Sequence, residues 1–111
     1  MKQEHEDFLR KLALNDEGTI GSVFAVAIDG ADPSWLDGKT YALVRLAGLI
    51  AVGSSPASYQ WSVAASIAAG ATDDEIIDVL TALAPIVGLA RVNAATPEVA
   101  LAIGCDLDVP G

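Results

Sequence analysis

The chain has 111 residues, the size of one ordinary domain, and 52% of them are hydrophobic. Counting Gly as apolar and Tyr as polar brings the share to about 59%, above the roughly 45–50% usual for a soluble domain. Fifteen Asp and Glu against six Lys and Arg leave a net charge of −9, which repels a phosphate backbone and excludes nucleic acid as a partner.

The first predicted element runs from Glu4 to Asn15, with Phe8, Leu9 and Leu12 on one side and Glu6, Asp7, Arg10 and Lys11 around the rest; it stops before Gly18. A second helix starts at Thr19, where Ile20, Val23, Phe24 and Ala27 recur at helical spacing until Asp29-Gly30-Ala31-Asp32-Pro33 breaks it. Trp35 and Leu36 are expected to tuck back onto the core. Asp37 can cap a third helix, from Gly38 to Val52, by accepting the orphan amide protons of its first turn. That helix is almost continuously apolar, as befits a central one. Ser54 or Ser55 followed by Pro56 starts a fourth, since Pro at the first helical position gives up no needed hydrogen bond; it ends at Gly70.

Thr72-Asp73-Asp74-Glu75 is a capping box that starts a fifth helix, with Ile76, Val79, Leu80 and Leu83 on one face and Asp78 and Thr81 toward solvent. Pro85 is expected to end or kink it, with a further segment from Ile86 to Ala95 and a last short helix from Thr96-Pro97 through Ile103. Residues 106–111 read as a frayed tail. No window alternates apolar and polar residues as a strand would, so the fold class is all-α, a bundle of about six antiparallel helices in a single domain over 1–111.

An apolar share this high in a small domain points to subunit contacts, where the surface resembles a core cut in half, so a homo-oligomer is expected. The uncharged stretch from Leu46 to Thr72 is long enough for a membrane span, but Gly53-Ser54-Ser55-Pro56 and Ser58-Tyr59-Gln60-Trp61-Ser62 interrupt it, so a membrane is not an expected partner. The first seven residues are too acidic for a secretory leader, which makes the cytoplasm the expected location. Cys105 is the lone cysteine, so an intramolecular disulfide is excluded, and a packing or incidental role is expected for it. The acids sit at helix starts and on exposed faces, and no metal site or other cofactor is expected.

Four runs carry a family resemblance: Leu36-Asp37-Gly38-Lys39, Leu43-Val44-Arg45-Leu46-Ala47, Ala68-Ala69-Gly70-Ala71-Thr72-Asp73-Asp74-Glu75-Ile76 and Pro85-Ile86-Val87-Gly88-Leu89-Ala90. In order and spacing, over roughly residues 37–103, the chain resembles the carboxymuconolactone decarboxylase and alkylhydroperoxidase-D-like family. The resemblance implies an alkylhydroperoxidase-D-like helical fold assembled as homo-trimers or homo-hexamers. In the family's peroxidase-like branch the helix before the Ala-Gly-Ala-Thr boundary carries Cys-x-x-Cys-x-x-x-His. Counting back from Gly70 puts Ser55, Ser58 and Ser62 at those three positions. A serine hydroxyl is no thiolate at neutral pH and cannot form a disulfide, so a dithiol peroxidase is not expected. The family's glutamate falls on Ala42 or Leu43. The decarboxylase branch keeps a histidine where Ser62 stands and usually an acid where Ser58 stands, and the only histidine here is His5, expected to be a solvated surface residue.

No histidine is placed to activate a serine, so a Ser-His-acid triad is not expected. Ser55, Ser58 and Ser62 share one helix face, as a hydrogen-bonded cap or interface or as the polar lining of a pocket shaped by Tyr59 and Trp61. Arg45 and Arg91 stand in otherwise apolar helices, where a guanidinium needs an anion: an acid of another subunit, or a small organic acid bound bidentately. The candidate site is therefore Arg45, Ser55, Ser58, Tyr59, Trp61 and Ser62, with no catalytic residue assigned. The expected function is an oligomeric small-molecule-binding or scaffold protein. The alternatives are a lyase or isomerase acting on a small carboxylated lactone through Tyr59, Arg45 and water, and an inactive partner in a hetero-oligomer. The lyase needs a proton donor or acceptor tuned far from tyrosine's usual pKa of about 10.

Overall fold

A computed structural model describes residues 1–24 and 35–108 of the chain. The expected helical stretch through Ala27 and the break at 29–33 therefore fall partly or wholly outside the described residues, as does the end of the tail. The chain forms two compact units, Met1–Pro33 and Ser34–Gly111. The described residues form six α-helices and contain no strand, as the periodicities predict.

In the first unit α1 spans Gln3–Ala13 and α2 spans Glu17–Phe24. Acids fill the first turn of α1 and Arg10 and Lys11 its last, each complementing the helix dipole. Arg10 also reaches Glu6 and Asp7, both at 3.0 Å. Helix α2 begins two residues ahead of Thr19, because Asp16 rather than Gly18 is the punctuating residue. Its carboxylate accepts both the amide and the hydroxyl of Thr19, at 2.9 and 2.8 Å. These hydrogen bonds, the backbone one foremost, hold the Asp16 carboxyl below the usual range.

The second unit holds α3 (Gly38–Val52), α4 (Pro56–Ala68), α5 (Asp73–Val87) and α6 (Leu89–Ala102). Three of the four starts are capped where the sequence places caps: Asp37 accepts from the Thr40 amide, Ser55 from the Ser58 amide with Pro56 at the first turn, and Thr72 forms a complete capping box with Glu75. Helix α3 packs on α4, α5 and α6, as each of the four helices packs on the other three. It is not buried all round, however. Leu46 and Ile50 point inward and are fully buried, whereas Val44 and Val52 are exposed.

The core takes one stripe from each helix: Leu46 and Ile50, Tyr59 and Val63, Ile76, and Ala95 with Val99. Val79, Leu80 and Leu83 of α5 pack against it, while Asp78 and Thr81 are exposed, as the spacing predicts.

Two sequence expectations are corrected here. Leu89–Ala102 is one helix, α6, rather than two segments that meet at Thr96, and α5 runs two residues past Pro85. A proline removes one backbone hydrogen bond, and the continuous buried stripe Val92, Ala95 and Val99 holds α6 together across Pro97. The break that does occur falls at Gly88, whose φ of +92° suits glycine. Trp35 and Leu36 do not enter the core either; both are exposed.

Candidate functional site

The six candidate residues come to lie in three environments. Ser55 and Ser58 form the cap of α4: the Ser55 hydroxyl accepts the Ser58 amide at 3.2 Å and lies 3.0 Å from the Ser58 hydroxyl. Tyr59 and Ser62 are buried. The Tyr59 ring belongs to the core, and its hydroxyl oxygen accepts the amide of Ser54 at 2.8 Å, which ties the α3–α4 link to the body of α4. Ser62 lends its carbonyl to the hydroxyl of fully buried Ser66 at 2.9 Å. Of the serines at these three positions, Ser55 caps α4 and Ser58 is hydrogen-bonded to it, whereas Ser62 offers its backbone carbonyl.

The third environment brings together Arg45 and Trp61 with a residue that sequence reasoning passed over, Tyr41. One turn of α3 separates Tyr41 from Arg45, and the Arg45 Nη1 donates to the Tyr41 hydroxyl at 3.3 Å. The guanidinium carbon lies over the Tyr41 ring at 5.5 Å from its centroid and over the Trp61 ring of α4 at 6.0 Å. The ring quadrupoles attract the cation from both helices. Arg45 is half-buried, Trp61 is 45% exposed, and among the described residues Arg45 makes no ion pair with a carboxylate.

Three acids of this unit are engaged elsewhere. Asp37 caps α3, and the Thr40 hydrogen bonds hold its carboxyl below the usual range. Glu75 is held low first by the Thr72 backbone amide and then by Lys39, whose ammonium lies 3.0 Å away and is itself held above its usual pKa by that carboxylate. Glu98 accepts from the Gln60 side chain at 3.0 Å. Arg91 is exposed rather than buried, with Nη1 only 3.1 Å from where a Cβ on Gly53 would stand. His5 is half-buried rather than fully solvated, its Nε2 3.8 Å from a Glu4 carboxylate oxygen. Cys105 is exposed. The described residues hold no cluster of three or more His, Cys, Asp or Glu suited to a metal ion, and no described helix is long and apolar enough to cross a membrane.

Four packed helices with an aromatic-flanked arginine between α3 and α4 define an all-helical protein with the helix order and boundary motifs noted above. The sequence profile of the carboxymuconolactone decarboxylase family matches residues 22–101, and the chain belongs to that family. No curated protein and no solved structure matches the chain.

Proposed function

We propose that this chain is a homo-oligomeric, small-molecule-binding member of the carboxymuconolactone decarboxylase family that holds a small organic acid at Arg45. One observation carries the reading: a half-buried guanidinium, fixed by the Tyr41 hydroxyl and by two aromatic rings, has no carboxylate partner among the described residues. A guanidinium so fixed has little freedom left to lose on binding. Its remaining N–H donors match the two oxygens of a carboxylate.

Chemistry by the family's thiols is excluded from this reading, because one cysteine cannot supply an intramolecular dithiol. A lyase would draw on Tyr59, but that hydroxyl oxygen already accepts a backbone amide inside the core. Assembly is supported by large apolar side chains left in water, Val52 at 72%, Ile86 at 79% and Leu89 at 64% exposure, which a subunit contact would cover.

Calorimetric titration of the full chain with succinate and acetate tests the reading. Saturable binding is expected, and Arg45→Gln is expected to weaken it about tenfold or more, the loss of one charge-assisted hydrogen-bonded pair. Equal affinity in Arg45→Gln and the unaltered chain would refute it.

A further inference from the structure

The carboxylate at Arg45 accounts for the cation but not for the ring beside it. Trp61 leaves 45% of its surface in water although the guanidinium of Arg45 lies over its ring. Tyr41, one turn from Arg45, supplies a second ring on the other helix. Charged recognition and exposed aromatic surface are thus placed side by side, on α3 and α4.

Resting on the proposed function above, we infer that the acid bound at Arg45 is a planar aromatic carboxylate whose ring packs on Trp61. A carboxylate conjugated to an aromatic ring lies in the plane of that ring. When it pairs bidentately with a guanidinium, the two groups share a plane, and the ring continues outward from the pair as a flat extension. Such a body can lie against the indole in offset or edge-to-face contact, which aromatic pairs prefer. A saturated ring of similar size is puckered and carries no quadrupole, so it gains only the area it covers. A short aliphatic acid reaches the guanidinium and leaves the indole wet.

The experiment compares benzoate with cyclohexanecarboxylate by calorimetry on the full chain, on Trp61→Leu, Trp61→Phe and Arg45→Gln, and follows the indole N–H resonance of Trp61 by NMR. Trp61 lies at the surface, so both of its variants are expected to fold. Benzoate is expected to bind about two- to tenfold tighter than the saturated acid, the margin of an aromatic pair beyond its buried area. Trp61→Leu should abolish that margin, weakening benzoate more than cyclohexanecarboxylate until the two bind alike, Trp61→Phe should retain most of it, and benzoate should shift the Trp61 resonance. Equal affinity for the two acids in the unaltered chain would overturn the aromatic class and leave the carboxylate at Arg45 standing. Binding of neither acid, or binding indifferent to Arg45→Gln, would overturn both.

Discussion

Arg45 shows how much a side chain's role depends on neighbours that are remote in sequence. Its i, i+4 partner Tyr41 is legible from spacing on α3, whereas Trp61 is sixteen positions away on another helix, and only the packing of α3 on α4 brings its ring within 6.0 Å. The same limit applied to the serines. Ser55 is readable as a cap because capping is local, but the burial of Tyr59 and Ser62 beside exposed Trp61 depends on how α4 is rotated against the rest of the bundle. Gly53 is the clearest residue-level constraint, with φ at +78° and ψ at 127°, a region that a side chain makes costly. Gly53→Ala is expected to destabilise the fold by about 1–3 kcal/mol in urea denaturation. Adding Arg91→Ala should not restore the loss. The guanidinium near that position belongs to a flexible side chain that can move away, so the strain lies in the backbone.

At the scale of single elements, local chemistry set the boundaries wherever a side chain could satisfy a free amide. Asp37, Ser55 and Thr72 lie at the starts of α3, α4 and α5 because each offers an oxygen to the first turn. Pro85 and Pro97 misled because a proline costs one bond locally, while the burial that outweighs it is spread along the helix. The Glu75 end of α5 also carries a pH dependence. Its carboxyl is held below the usual range in the folded chain, so its contribution to stability is fully present above the unfolded carboxyl pKa and is lost as pH falls through the folded one. Stability is therefore expected to decline below about pH 4, and Glu75→Gln should flatten the part of that decline which a pH series of thermal melts assigns to this carboxyl.

For the whole molecule, the all-helical class was legible from helical periodicity, and on α5 the face of Ile76, Val79, Leu80 and Leu83 with it, whereas the buried stripes Leu46 with Ile50 on the uniformly apolar α3, and Val92, Ala95 and Val99 on α6, are set by the packing of the helices. Leu46 has no exposed surface and sits in the core, so Leu46→Ala is expected to cost about 2–5 kcal/mol, read as a lower urea midpoint. The apolar excess of the composition reappears as exposed Val52, Ile86 and Leu89 on the second unit, and it is this surface that the proposed oligomer would cover. Native mass spectrometry of the protein purified from its own host, beside Arg45→Gln prepared in the same way, tests that account most directly. The predicted result is a homo-oligomer carrying the added mass of a small organic acid, with the added mass missing from Arg45→Gln. A monomer whose spectrum shows no added mass in either protein would contradict it.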